Sequence, residues 1–255
     1  MVEASDFKPA LTPAVMAEFV GSFLLAFLAG AAAANAADNG LSAAALGVGL
    51  AVAMLTYTTV HISGGFLNPA LTAGVMIMGG DKDVGIKAGI SYMIAQFTGA
   101  IIGAILVKSC LPVEALVHPF VTLGSLSDKH GEQVFIFEFL ATLVIGLVFM
   151  AVRDEKRSQA GNAGPLAIGL AYSIGMFAAG PFTGGSMNPA RTLGPALAFG
   201  KFDHIGVYLA ATFLGGIAAA FLYKLALGDA SDEGRVNSDG EEKRKSDVNL
   251  AQKFV

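Results

Sequence analysis

Long apolar stretches separated by short polar segments dominate the pattern of this chain. Five stretches are long enough, at about 20 residues, to cross a bilayer as helices, and they cover residues 13–34, 41–62, 87–111, 133–152 and 205–227. A sixth stretch, 165–179, is shorter and comes fifth in the chain. The pattern predicts an all-α transmembrane protein with six spans.

The tripeptide Asn-Pro-Ala occurs twice between these stretches, as Asn68-Pro69-Ala70 and as Asn188-Pro189-Ala190. Asn before Pro favours a helix start, because the Asn side chain accepts from free backbone N–H groups and Pro fits the first helical position. The apolar run after the first copy ends at two glycines, so its helix covers about 15 Å, half of a hydrocarbon core of about 30 Å. We expect each copy to open a re-entrant half-helix that is packed inside protein.

The two halves of the chain are related in sequence. Ala-Glu-Phe-Val-Gly around Glu18 resembles Phe-Glu-Phe-Leu-Ala around Glu138, and Asn188 follows Asn68 at the same distance of 120 residues. Each half holds three spans and one half-helix, and because three is odd the second half enters the membrane from the opposite side. The sequence therefore predicts an inverted repeat whose half-helices meet tip to tip near the midplane.

Composition agrees with a membrane protein and narrows the other classes. Of 255 residues, 54% are hydrophobic and 14% are charged, and the mean hydropathy is +0.63; soluble domains carry about 25% charged residues. A formal net charge of −4 provides no basic surface for nucleic acid. The single cysteine, Cys110, excludes an internal disulfide, and residues 1–11 do not show the pattern of a cleaved signal peptide.

Lysine and arginine predict the orientation. Most of them, including Lys8, Lys82, Arg153 and the basic residues near the C-terminus, fall on one side of the predicted topology, which the positive-inside rule makes cytoplasmic. The polar C-terminal segment has few large apolar residues and is predicted to be disordered. The expected division is a cytoplasmic N-terminal segment at 1–12, a membrane domain at 13–227 with repeats at 13–111 and 133–227, and a cytoplasmic tail at 228–255.

The motifs around the two tripeptides resemble those of aquaporins, the major intrinsic protein family. His61-Ile-Ser-Gly-Gly precedes the first copy, and Gly184-Gly-Ser-Met-Asn-Pro-Ala-Arg-Thr-Leu-Gly-Pro surrounds the second. The motif sequences resemble those of plant-type tonoplast and nodulin-like members, and the similarity extends over residues 13–227. The resemblance implies a six-span bundle, one pore in each protomer, a homotetramer, and passive transport across a plasma membrane or vacuolar-type membrane. No cofactor, metal or nucleic-acid partner is expected.

A pore would give the two half-helices a function. Their positive N-terminal ends meet at the midplane and repel cations, and Asn68 and Asn188 can each donate a side-chain N–H to a passing water. A water held by both donors turns its own hydrogens away from the centre. This interrupts the hydrogen-bonded chain along which a proton would move, as is described for aquaporin-type pores.

The resemblance also implies a second constriction, at Val48, Met176, Gly185 and Arg191. An arginine in a membrane segment is costly unless it lines a wet cavity or has partners. Val48 and Met176 depart from the strict water-channel pattern of an aromatic residue and a histidine. We therefore expect a wider, more apolar constriction that also passes a small neutral solute such as glycerol, urea, ammonia or hydrogen peroxide, although Thr192 stands where dedicated glycerol facilitators have aspartate.

Glu18 and Glu138 have two interpretations. The resemblance implies that each buried carboxylate accepts hydrogen bonds from the non-helical backbone before a half-helix, where lipid offers no partners. The alternative is an acid in the first helical turn, favoured there by the helix dipole.

Three other polar residues also keep alternatives. His61 is predicted either to face the cytoplasmic mouth or to be a structural histidine. Ser158 and Ser246 stand beside basic residues in predicted cytoplasmic segments, where phosphorylation would add negative charge; the alternative is a solvated segment without a regulatory function.

Two functions besides transport stay open. One is a junctional or structural membrane protein with a vestigial pore. The other is an intramembrane enzyme, but the sequence supplies neither a nucleophile paired with a base nor a metal-ligand spacing, so a non-enzyme is expected.

Overall fold

The computed structural model describes residues 11–78, 84–112, 120–127, 130–154 and 158–228. Six helices in these ranges are long and apolar enough to cross a membrane, and two shorter ones, of 10 and 11 residues, begin at Pro69 and Pro189. This confirms the predicted all-α architecture with two half-helices. The helices are α1 Leu11–Ala34, α2 Ala36–Ser63, α3 Pro69–Met78, α4 Ile86–Cys110, α5 Gly131–Arg153, α6 Gly164–Thr183, α7 Pro189–Phe199 and α8 Ile205–Leu222.

The expected terminal segments lie almost wholly outside the described residues. α1 begins at Leu11, and α8 continues as the π-helical turn Tyr223–Gly228. Ser246 also lies outside the described residues, so its predicted phosphorylation stays a prediction.

The fifth span is longer than the sequence predicted. We expected it to end at residue 179, before Gly180 and Pro181, but α6 continues to Thr183 with Pro181 inside its last turn. The segment at 120–127 accounts for the difference, because the N–H groups of Ser125 and Leu126 donate to the Pro181 and Phe182 carbonyls at 3.1 and 2.9 Å. Helices usually end before a proline. Here the carbonyls of the last turn have hydrogen-bond donors from another part of the chain, and the helix continues past Pro181.

The packing of the helices repeats between the halves. α1 packs against α4 as α5 packs against α8, and each half-helix packs against the last helix of the other half, α3 on α8 and α7 on α4. The two halves meet where α2 crosses α6 at Gly49 and Gly169. A methyl group on either glycine would clash with the backbone carbonyl of the other, so small residues permit this close approach.

The interior of the bundle holds polar groups beside its apolar core, and further apolar groups cover its outer surface. Glu18, Glu138, Gln96 and Asn68 are each 0% exposed. Large apolar side chains form exposed stripes on the outward faces, and on α2 and α6 the stripes match between the halves. They are Leu46, Leu50 and Met54 on α2, and Leu166, Leu170 and Ile174 on α6. This distribution suits a protein whose outer surface meets lipid.

Candidate functional site at the meeting of the two half-helices

Two short non-helical segments, 64–68 and 184–188, lead into the half-helices in the buried centre of the bundle. Both contain residues in the left-handed region, with φ of 63° at Gly65 and 61° at Gly185. Leu67 and Met187, just before the two Asn residues, have φ of 51° and 55°, a conformation that is uncommon for residues with a side chain. Buried backbone of this kind persists only where the surroundings hold it.

Glu18 holds the first segment. Its carboxylate accepts from the Phe66 and Leu67 N–H groups at 3.0 and 2.7 Å, from the Ser63 hydroxyl at 2.5 Å, and from Gln96 Nε2 at 2.7 Å. Gln96 also donates to the Thr72 hydroxyl at 2.9 Å, and so links the carboxylate to α3.

Glu138 holds the second segment in the same way. It accepts from the Ser186 and Met187 N–H groups at 2.9 and 2.8 Å and from the Thr183 hydroxyl at 2.5 Å. Every donor lies 120 residues after its counterpart in the first half. Glu138 lies in the second turn of α5, as Glu18 does in α1, and both are fully buried. Each carboxylate thus accepts from the backbone before its half-helix, and neither lies in the first turn of its own helix.

The tips of α3 and α7 meet through reciprocal hydrogen bonds. Asn68 Nδ2 donates to the Met187 carbonyl at 2.8 Å, and Asn188 Nδ2 donates to the Leu67 carbonyl at 2.9 Å. Each Asn Oδ1 also accepts from the backbone of its own half-helix, at Ala70 N and Ala190 N, both at 2.9 Å. Each Asn therefore caps its own half-helix and also joins it to the other half of the chain.

The two Asn side chains differ in their remaining N–H. Asn68 Nδ2 also donates to the Tyr172 hydroxyl at 2.7 Å, so both of its N–H groups have protein partners. Asn188 Nδ2 has one partner among the described residues, the Leu67 carbonyl. Counting the described residues alone, Asn188 therefore keeps one side-chain N–H for a water and Asn68 keeps none.

A narrow cavity lies on the α7 side of this junction. The volume of the cavity is about 10 Å³, which is room for about one water. Its wall combines apolar side chains with a few polar groups. The lining residues are Leu25, Ala29, Val48, Val52, Tyr172, Ser186, Met187, Asn188 and Arg191.

Arg191 lies in the first turn of α7 and is fixed through its terminal nitrogens. Nη1 donates to the Phe120 carbonyl at 2.9 Å, and Nη2 lies 3.5 Å from the Gly184 carbonyl. Nε is buried without a hydrogen-bond partner among the described residues. A cation that lines a cavity and keeps an unpaired buried donor is arranged to bind a polar guest such as water.

The other predicted constriction residues surround the same region. Val48 lines the cavity with Arg191. Met176 packs on Gly185, where a Cβ would lie 2.5 Å from the Met176 sulfur. A side chain at position 185 would therefore displace Met176.

Comparison with known proteins agrees with this geometry. The family profile described as Major intrinsic protein matches residues 6–223. The chain belongs to the major intrinsic protein family. It is therefore an integral membrane protein from a family of channels for water or small solutes.

Individual members of the family are similar over most of their length. The chain is 34% identical over 229 residues to the rice protein "Probable aquaporin TIP2-2" (Oryza sativa subsp. japonica), covering 86% of this chain and 89% of the relative. It is 36% identical to "Aquaporin NIP3-1" of Zea mays, covering 88% of this chain and 73% of that protein. The X-ray structure of the aquaglyceroporin from Plasmodium falciparum superposes with a TM-score of 0.73, at 24% identity, over 86% of this chain and 97% of that one, which shows the shared fold.

Two predicted residues lie away from the junction in this family member. His61 is exposed and continues the outward stripe of α2 through Leu50, Met54 and Tyr57; it does not join the buried residues of the first loop. Ser158 is half-buried, and its hydroxyl accepts from Ala160 N at 3.2 Å.

Several residues of the site were not predicted from the sequence, among them Tyr172, Phe120 and Arg153. Tyr172 bears a hydroxyl one helical turn before Met176, a spacing that could have placed it on the same face. Phe120 contributes only its carbonyl, which no sequence pattern marks. Arg153 donates to the Gly64 carbonyl at 2.9 Å and lies 4.8 Å from the centre of the Phe66 ring, so it supports the first loop, although the sequence indicated only its use for orientation.

Proposed function

We propose that this protein is a passive channel for water and small neutral solutes that excludes protons and other ions. The observation that carries the proposal is the meeting of two buried half-helix N-termini beside a cavity lined by Asn188 and Arg191. The cavity is the solute path, and Asn188 and Arg191 present donors to it.

Ion exclusion follows from the direction of these groups. The N-terminal ends of α3 and α7 carry positive partial charge into the centre, and Arg191 adds a full positive charge. A cation entering there loses its hydration and gains only repulsion, whereas a neutral water offers its oxygen to the donors. Because the centre presents N–H and O–H donors, the water cannot also accept a proton from its neighbour on that side.

The chemistry of the constriction favours more than one solute. Val48 and Met176 are apolar, and Gly185 has no side chain, so Arg191 is the single charged group among the four constriction residues. A solute can pass such a wall without forming all the hydrogen bonds that water forms. We therefore propose that a small neutral solute such as ammonia, hydrogen peroxide, urea or glycerol passes besides water.

The assembly, membrane and orientation belong to the same proposal. The exposed apolar stripes of α2 and α6 supply faces for lipid or for other copies, and we propose a homotetramer with one pore in each protomer, in a plasma membrane or vacuolar-type membrane, with both termini cytoplasmic. The mass of the detergent-solubilised protein, corrected for detergent by light scattering, tests the tetramer. A monomer mass would exclude it.

Osmotic shrinkage of proteoliposomes tests the transport function. Shrinkage in sucrose that is faster than in empty liposomes supports a water channel, and reswelling in glycerol or urea identifies a second solute. If the vesicles shrink no faster than empty ones, the protein is not an open water channel, and the alternative of a junctional protein with a vestigial pore gains support.

A further inference from the structure

The cavity wall carries an aromatic side chain from one half of the chain that the other half does not match. Tyr172 on α6 corresponds to Val52 on α2 at the repeat distance of 120 residues, and both line the cavity. The two carboxylates and the backbone N–H groups that they accept from match between the halves, but here a phenol stands where the other half has a small aliphatic group. The ring therefore reduces the cavity from one side, at the level of the half-helix tips.

The Tyr172 hydroxyl also occupies a position that a water would otherwise take. Its oxygen accepts from Asn68 Nδ2 at 2.7 Å, at the short end of the normal range for such a bond. The hydroxyl proton has no acceptor among the described residues, and the side chain lines the cavity, so the proton is available to a guest there. Asn68 is 0% exposed, whereas Tyr172 and Asn188 are 5% and 2% exposed.

We propose that Tyr172 is a specificity-determining residue of the pore, which rests on the proposed channel function. Its ring sets the width at the half-helix tips, and its hydroxyl replaces Asn68 as the partner of Asn188 in holding a water. The narrowest layer is then at Tyr172 and not at the predicted constriction of Val48, Met176, Gly185 and Arg191. This narrows the set of solutes proposed above: water, ammonia and hydrogen peroxide pass this layer, and glycerol, which is larger, is held back.

Proton exclusion is preserved when the Tyr172 hydroxyl, in place of Asn68, is the second donor to the water. A water at the tips accepts one hydrogen bond from Asn188 Nδ2 and one from Tyr172 Oη. Its oxygen is then occupied by two donors, and its hydrogens point away from the centre, as with a pair of Asn donors. The phenol therefore narrows the path without supplying a carboxylate or imidazole that could relay a proton.

The permeability of the channel to glycerol tests whether the Tyr172 ring sets the width of the pore. Parent protein, Tyr172→Val, Tyr172→Phe and the control Tyr57→Val are compared in proteoliposomes, in sucrose and in glycerol. Tyr57 undergoes the same change on the exposed outer face. We expect fast water and slow glycerol for the parent and the control, and a rise of about tenfold in glycerol permeability for Tyr172→Val, because pore width limits the larger solute. Tyr172→Phe keeps the ring and should stay slow for glycerol.

The outcomes separate this inference from the channel function. If the parent conducts water and glycerol equally fast, or if Tyr172→Val leaves glycerol slow while water stays fast, Tyr172 does not set the width but the channel function stands. If neither the parent nor Tyr172→Val accelerates shrinkage, the channel function fails, and the inference fails with it. Water flow only in Tyr172→Val would support the inference in its strongest form, with the ring closing the path.

Ordered waters in an experimental structure test the hydroxyl, whether or not Tyr172→Val folds. We expect a water within about 3 Å of Tyr172 Oη and Asn188 Nδ2, and none on Asn68 Nδ2. In Tyr172→Phe the freed Asn68 N–H should acquire a water. A water already bound to Asn68 Nδ2 in the parent, with the phenol turned away, would show that the Tyr172 hydroxyl does not replace Asn68 as a donor.

Discussion

Two buried carboxylates decide the conformation of the site at the scale of single residues. Glu18 and Glu138 each accept two consecutive backbone N–H groups, ending at Leu67 and Met187, the residues with positive φ. These N–H groups point toward the carboxylate and so cannot pair within a helix. An acceptor of two oxygens is what such a turn requires in the absence of water.

Glu138→Gln should destabilise the protein. The amide group of Gln would replace one accepting oxygen and confront a buried N–H, and a lost bond with an unpaired donor costs about 1–3 kcal/mol. Thermal unfolding in detergent should show a lower Tm than for the parent, and Glu18→Gln should behave alike. Glu132→Gln is the control, because that side chain is 74% exposed. Equal Tm values for all four proteins would show that these bonds do not hold the loops.

Arg191→Met should weaken cation exclusion. The substitution keeps a long side chain but removes the charge from the cavity, and two unit charges 4 Å apart repel by about 4 kcal/mol at an effective dielectric constant of 20. We expect the sodium or proton leak of proteoliposomes, followed with an ion-sensitive dye, to rise at least about tenfold. Lys201→Met removes an exposed charge outside the cavity and should not leak. An Arg191→Met channel as tight as the parent would assign exclusion to the half-helices alone.

At the scale of helices, small residues decide which elements can touch. Gly99 and Gly103 face the Phe19 and Phe23 carbonyls of α1, and Gly215 faces the Phe139 carbonyl of α5. Gly99 and Gly103 form a Gly-x-x-x-Gly spacing on α4, and the absence of side chains there and at Gly215 permits close approach of the helix backbones. Backbones that approach this closely gain contact along their whole length, which lipid cannot provide.

Gly99→Ala should therefore destabilise the bundle. Its methyl group would clash with the Phe19 carbonyl, and overpacking of this kind costs about 1–3 kcal/mol. Gly206→Ala on α8 is the matched control, since nothing lies within 4 Å of its added Cβ, and helix propensity can raise stability there by up to about 1 kcal/mol. Unfolding temperatures of the two variants should move apart. A Gly99→Ala protein as stable as Gly206→Ala would show that α1 and α4 can separate without cost.

At the scale of the whole molecule, a pseudo-two-fold relation organises the chain. Gly49 faces Gly169, and Asn68 and Asn188 bond to each other's loops, so equivalent residues meet at two levels. The relation brings two helix N-termini to one point. It also leaves single positions free to differ, as Tyr172 and Val52 do.

The single cysteine tests the orientation of the molecule. Cys110 is exposed at the end of α4, which the predicted topology places outside the cytoplasm. In a plasma-membrane expression host, a membrane-impermeant maleimide should label it in intact cells. Cys110→Ser should remain unlabelled, and Ser158→Cys in that background should react only after permeabilisation. The reverse labelling pattern would invert the proposed orientation.

The sequence by itself determined the number of helices, the two half-helix starts and the repeat. These features are local or periodic: apolar length decides whether a helix can span, Asn-Pro decides where a helix begins, and a shared offset reveals duplication whatever the fold. They also sufficed to mark Glu18, Glu138 and Arg191, because a charge in an apolar segment needs a buried partner or a wet cavity.

Only the tertiary structure decided which groups satisfy one another. The last turn of α6 depends on N–H groups from residues 125 and 126, Arg191 depends on the Phe120 carbonyl, and the second N–H of Asn68 goes to Tyr172 instead of to water. The outward position of His61 likewise follows from the face that α2 turns to its neighbours. In a membrane interior a polar group must find a protein partner or a wet cavity. The partners named here are 56 to 104 residues apart and are brought together by packing, which a local sequence pattern does not predict.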